Sequence, residues 1–202
     1  MALFSGFKKP LALILIAFLA ACSSSSSTSK PSSSQPRIST PENTYSEESI
    51  VDAGAGYLGK GAEVVAKALE GVFKSYGRPN AYITGNEAGG GLIVGLRYGG
   101  GDLYHKIEGQ RPIHWTGPSI GFDAGADAVK TFALVYNLYD TEEIYTRVGA
   151  LEGSFYFVGG LGVSVYGKKD VVIAIVRVGV GLRAQASVGY LKFTKKTSYL
   201  PF

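Results

Sequence analysis

Arginines spaced evenly from bare glycines are the residues of this sequence best suited to recognise an anion. Ile93, Gly95 and Arg97 share one parity, as do Ile175, Arg177, Gly179, Gly181 and Arg183. In extended backbone each series lies on one face. Guanidinium forks match phosphate and carboxylate, and glycines let a ligand come close. Arg97, Arg177 and Arg183 are therefore candidate contacts for an anionic lipid or glycan group, with Trp115 grouped beside them. The bland alternative packs the N-terminal helices on the same face and pairs the arginines with Glu63, Glu70 or solvent.

Other patterns suggest chemistry less well. Gly117-Pro118-Ser119-Ile120-Gly121 has the spacing of a nucleophile elbow, which needs a strand before the serine and a helix after it. Both His105 and His114 precede Ser119, and Phe122-Asp123-Ala124-Gly125 reads as loop. A turn fixed by Pro118 and Gly121 is the competing reading. Gly54-Ala55-Gly56-Tyr57-Leu58-Gly59 fits a dinucleotide fingerprint, but a helical pattern precedes it instead of a strand. As a phosphate-binding loop it fails because Gly61 follows Lys60 where Ser or Thr is needed. Two His nine residues apart and one Cys make no metal cluster. Asp102, Asp123 and Asp127 fall in glycine-rich stretches where Asp commonly forms turns. No cofactor is expected.

The N-terminus carries a different chemistry. Lys8-Lys9 precedes an apolar run from Leu11 to Leu19, too short to span a bilayer and followed by serines, so residues 1–21 read as a signal peptide. Leu19-Ala20-Ala21-Cys22 resembles the lipobox of bacterial lipoproteins, which would make Cys22 the acylated first residue of the mature chain. By the same resemblance Ser23 after the cysteine implies sorting to the outer membrane, and several acyl chains anchor far more firmly than one. Residues 22–43 are rich in Ser and Pro with almost no large apolar side chains, the composition of a disordered tether. Without Lys8 and Lys9 the formal net charge of +4 falls to about +2, too small to argue for nucleic acid.

The elements that must position the arginines begin near Thr44. Thr44-Tyr45-Ser46-Glu47 fits a capping box, followed by Ile50, Ala53, Tyr57 and Leu58 at helical spacing. After Gly59-Lys60-Gly61, Val65, Ala68, Leu69, Val72, Phe73 and Tyr76 mark a second helix, stopped by Gly77 and Pro79. Strands are expected near 81–84, 91–98, 103–106, 113–116 and 130–137, with a hairpin turn at Gly99-Gly100-Gly101-Asp102. Asp140-Thr141-Glu142-Glu143 opens a short helix ending at Gly149. Leu161 to Tyr166 alternates with period 2, and Gly167 to Asp170 is a turn. Val171 to Ala184 presents an unbroken apolar face opposite the arginine-bearing one. Glycines inside such long strands imply kinks, as in a closed sheet. The fold class is mainly β (α+β): a small β-barrel or strongly bent antiparallel sheet over residues 44–202, with N-terminal helices packed against it.

The order of these segments resembles the EipA-like family of bacterial envelope proteins. The resemblance rests on Tyr76-Gly77-Arg78-Pro79-Asn80-Ala81-Tyr82-Ile83, Gly95-Leu96-Arg97-Tyr98-Gly99, Trp115-Thr116-Gly117-Pro118-Ser119-Ile120-Gly121-Phe122-Asp123, Leu134-Val135-Tyr136-Asn137-Leu138, Gly179-Val180-Gly181-Leu182-Arg183 and Val188-Gly189-Tyr190-Leu191-Lys192-Phe193. It implies a small periplasmic β-barrel with helices and a part in envelope integrity, with no catalytic residues to carry over. The lipobox at Cys22 departs from a soluble periplasmic form. The expectation is a non-enzymatic lipoprotein on the periplasmic side of the outer membrane, attached through acylated Cys22, that binds an envelope component. Two alternatives stand: a lipid or amphiphile carrier of the SYLF-like type, and a serine hydrolase using Ser119.

Overall fold

The structure is a computed structural model that describes residues 41–90, 94–120, 128–179 and 189–198. Helix α1 (Glu47–Leu58) and helix α2 (Ala62–Tyr76) precede eight strands: β1 (Ala81–Gly90), β2 (Val94–His105), β3 (Gly109–Ile120), β4 (Val129–Tyr136), β5 (Arg147–Val158), β6 (Leu161–Lys168), β7 (Val171–Val178) and β8 (Tyr190–Thr194). All pairings are antiparallel, and the strands close into a barrel in the order β1-β2-β3-β8-β5-β6-β7-β4. Cys22, Arg183 and the Ser/Pro-rich tether lie outside the described residues.

Period-2 alternation divides the apolar side chains between two cores. One fills the barrel: Ile83, Leu103, Ile113, Trp115, Val135, Ile173, Ile175, Leu191 and Phe193 point inward. The other lies outside, where Phe132, Leu134, Val163, Ala174 and Val176 meet Ile50, Leu58, Val65, Leu69 and Val72 of the two helices. Each fully buried Val, Leu, Ile or Phe is worth about 1.5–3 kcal/mol, so the helices are integral to the fold. They cover the apolar Val172–Ala174–Val176 face of β7. The arginine face turns into the barrel, which corrects the alternative of helices packed on the glycine-bearing side.

Local sequence accounts for the helix limits. The cap of α1 is Ser46, whose hydroxyl accepts from the Ser49 amide at 3.2 Å; Thr44 is buried instead of capping. Gly59 ends α1 in the left-handed conformation and Gly77 stops α2. The glycines resembling a nucleotide fingerprint belong to α1, where a Cβ on Gly54 would press on the Phe132 ring at 3.1 Å.

Four sequence expectations are corrected. Gly99 to Asp102 is not a hairpin turn: β2 runs straight through, and the turn comes at residues 106–108. A Cβ on Gly99 would lie 2.0 Å from the Trp115 indole and one on Gly85 2.7 Å from it, so these glycines seat a tryptophan inside the barrel. Gly117 to Ile120 is likewise strand, paired with Val94 to Arg97, so neither a turn nor a strand–turn–helix elbow forms at Ser119. After Asp140 only one 3-10 turn forms (Thr141–Ile144), and Arg147 already begins β5. Strand β7 ends at Val178, before Gly179 at φ +78°, and residues 180–184 of the longer strand expected there lie outside the described residues.

The connection from β4 to β5 has to cross one end of the barrel, because those strands are not neighbours. It carries Leu138 and Ile144 into the barrel interior, both fully buried. Asn80 bonds this segment twice, donating from its amide to the Leu138 carbonyl and accepting the Leu138 amide at 3.2 Å. His105 Nδ1 accepts from the Glu108 amide at 3.0 Å, which leaves Nε2–H to donate to the same Leu138 carbonyl at 2.8 Å. Glu108 accepts from the Thr141 hydroxyl and amide. This is the closed end.

Candidate functional site

Toward the other end the inward positions change from aliphatic to charged. The parity that buries Ala81 and Ile83 on β1 brings Glu87 inward, and the parity of Ile173 and Ile175 on β7 brings in Arg177. Arg97 on β2 and Trp115 on β3 join them, and each of the four exposes 4 % or less of its surface.

Glu87 is the centre of the group. Arg177 holds it with two donors, Nε to Oε1 at 2.8 Å and Nη2 to Oε2 at 3.1 Å. The indole N–H of Trp115 donates to Oε2 at 2.8 Å. Arg177 Nη1 donates to the Ser164 hydroxyl at 3.2 Å. Burial alone would push the Glu87 carboxyl up, yet Arg177 and Arg97 hold it below the usual carboxylate range. Burial would lower the Arg177 pKa, but Glu87 beside it raises it. The pair is therefore ionised and closely matched, a two-pronged contact in a dry setting.

Arg97 is different. Its Nε donates to the Pro118 carbonyl at 3.2 Å, and its Nη1 stands 3.8 Å from Glu87, an electrostatic contact beyond hydrogen-bond distance. Both terminal nitrogens are buried without a hydrogen-bond partner. Two guanidiniums face one carboxylate, so the group carries an excess positive charge with unused donors.

The structure thus brings Arg97, Arg177 and Trp115 together, as their parity suggests, while Arg183 lies outside the described residues. It also separates their roles. The Trp115 indole N–H is committed to Glu87, and Arg177 is satisfied by Glu87 and Ser164. Glu87, not Glu63 or Glu70, is the acid that pairs with the arginines. The strands expected at 81–84 and 91–98 leave Glu87 in the gap between them. The signal available was parity: Glu87 falls in step with Ala81 and Ile83 if the strand is extended through the glycines.

His105 belongs to the closed end and His114 to the opposite face of the wall, and no cluster of metal-binding side chains occurs among the described residues. No helix among the described residues is long and apolar enough to cross a membrane.

Comparison with known proteins agrees with this architecture. A solved structure of a β-barrel-like, uncharacterized protein from Brucella abortus is 39% identical, with a TM-score of 0.72 over 79% of this chain and 99% of that one. Comparison with curated proteins gives no match. The sequence profile of envelope integrity protein A matches residues 43–202. The chain belongs to the envelope integrity protein A family, and with it to the proteins of the cell envelope.

Proposed function

We propose that this protein is a non-enzymatic lipoprotein on the periplasmic side of the outer membrane, anchored through acylated Cys22, which supports the envelope by binding an anionic group of an envelope component in the charged end of its barrel. The observation that carries the binding is Arg97, a buried guanidinium with two terminal nitrogens left without partners beside an already neutralised Arg177–Glu87 pair. A buried ionised donor set without acceptors is costly, and a phosphate or carboxylate oxygen would satisfy it. In this reading Arg97 is the ligand contact, Arg177 and Trp115 hold the carboxylate that orients it, and Arg183 is a further contact. The family places the chain among envelope proteins, and no catalytic family is among the matches. The amphiphile-carrier reading gains nothing from the barrel, whose interior is packed with its own side chains, as eight-stranded barrels commonly are.

The test uses the Cys22→Ser chain, so that acyl insertion does not mask the site. Fractionation should release this variant from the membranes that retain the parent chain. It should bind anionic vesicles in preference to neutral ones, with a component that persists at moderate salt, because a shielded contact is less screened than a surface one. Arg97→Met should remove that component. Membrane retention of Cys22→Ser would overturn the anchor, and salt-resistant binding unchanged by Arg97→Met would overturn the site.

A further inference from the structure

We propose, resting on the reading of Arg97 as the anion contact, that the anion carries an apolar chain and that Phe155 and Phe157 of β5 hold this chain at the rim of the barrel. Alternation fixes where the two rings point. Tyr156 between them faces outward, its hydroxyl donating to the Ala68 carbonyl of α2 at 2.8 Å. Phe155 and Phe157 therefore face inward. Their partners on β6 agree. Phe155 pairs with Ser164 and Phe157 with Gly162, while Leu161 and Val163 of β6 belong to the outer core. Gly162 in turn pairs with Arg177, and the β5–β6 turn follows at Gly159 and Gly160, so the two rings lie at the rim of the charged end.

Three observations point to a chain here. First, Phe157 is 43% exposed although it faces inward, so solvent reaches the mouth beside it. The two rings meet edge to face with centres 4.8 Å apart, an apolar surface that carries no hydrogen-bonding group. Second, this surface adjoins the charges. Gly162 pairs with Phe157 on one side and Arg177 on the other, so that row has no side chain between ring and guanidinium. Arg177 leads through Glu87 to Arg97, whose strand lies three places from β5 around the closed ring. Third, the polar groups nearest the rings are already used. Ser164 accepts from Arg177, and Arg177 and Trp115 hold Glu87. A sugar ring would bring hydroxyls that need partners at the aromatic side, whereas an alkyl chain needs none. Arg97 with its two unpartnered nitrogens takes the charged head, and the rings take the chain as it leaves the mouth. The chain does not enter the filled interior, so the ligand is held at its head and not enclosed.

The test uses the Cys22→Ser chain and soluble probes below their micelle concentrations, with affinities read by titration calorimetry. Inorganic phosphate reports the Arg97 contact alone. Butyl and octyl phosphate add a chain to the same head, and affinity should rise about tenfold from butyl to octyl, since each methylene removed from water is worth up to about fourfold. Octyl glucoside, the same chain on a neutral head, should not bind. Phe157→Ser should abolish most of the rise while leaving inorganic phosphate binding unchanged, and Phe157→Leu should keep the rise. Ile107→Ser, which removes an exposed apolar side chain at the closed end, should also keep it. Arg97→Met should weaken every phosphate. Equal binding of inorganic and octyl phosphate would overturn the chain contact and leave the Arg97 site standing. A rise that survives Phe157→Ser, or octyl glucoside binding as tightly as octyl phosphate, would overturn the chain contact as well. Failure of every phosphate to bind would overturn the Arg97 site itself, and this inference with it.

Discussion

The two ends of the barrel solve the same problem in opposite ways. At the closed end polar groups are buried in matched sets: Asn80 uses both halves of its amide on Leu138, and His105 uses both ring nitrogens. At the charged end Glu87 is saturated by Arg177 and Trp115, but Arg97 keeps two buried nitrogens without acceptors. A cap that only had to exclude water would look like the first end. The second retains an unmet buried donor set, and the proposed recognition rests on it.

The comparison can be broken most forcefully at Arg177. Arg177→Met leaves Glu87 buried with its bidentate partner gone and Arg97 at 3.8 Å as the remaining cation. Removing one member of a buried ion pair costs about 3–5 kcal/mol. Chemical denaturation should show a loss of this size, and a loss under about 1 kcal/mol would mean that the cluster is wetter than the geometry indicates. The pH dependence follows with a definite sign. The Glu87 pKa is lowered on folding, from an ordinary value of 4.5. Its contribution is fully present above the unfolded pKa and is lost as pH falls through the lower folded value. Stability should therefore drop below about pH 4.5 more steeply in the parent chain than in Glu87→Gln, as measured by melting temperature between pH 3 and 6.

The closed end gives the next largest effect. Asn80→Ala removes the amide that donates to the Leu138 carbonyl and the oxygen that accepts the Leu138 amide. The carbonyl keeps His105, but the amide is stranded in a buried setting. About 2–3 kcal/mol should be lost in denaturant unfolding. Binding to anionic vesicles at the native temperature should not change, which separates a structural end from a recognising one. If the variant loses binding in step with stability, the two ends are not distinct in function.

Much of this architecture is legible in the sequence, and the misses share one physical cause. Periodicity locates both helices, and alternation assigns Arg97 and Arg177 correctly to one kind of face. What local reasoning misjudges are glycines whose meaning is set by a distant partner. Gly99 to Gly101 has the composition of a turn, and only the Trp115 indole lying over Gly99 shows why a strand needs bare backbone there. Glu87 is hidden in the same way, since a lone acid among glycines looks like loop until Arg177, ninety residues later, is placed on the far side of β4 from it. The Asn80–Leu138 bonds span 58 residues and leave no local signature. Residues 22–40 and Arg183 lie outside the described residues.

The finest contrast lies within the charged end itself, between its two arginines. Arg97→Met takes away the guanidinium that makes one hydrogen bond, to Pro118, and leaves Arg177 and Glu87 as a balanced pair. Removing a buried charge with unmet donors also removes the cost of burying it. Against this stands the loss of a 3.8 Å attraction to Glu87. The two nearly cancel, so Arg97→Met should change unfolding free energy by less than about 1 kcal/mol, against the several lost by Arg177→Met. A loss of 3 kcal/mol or more at Arg97 would show that both guanidiniums serve the same structural pair and that the excess charge has no further use. A small change accompanied by loss of salt-resistant binding to anionic vesicles assigns stability to Arg177 and recognition to Arg97.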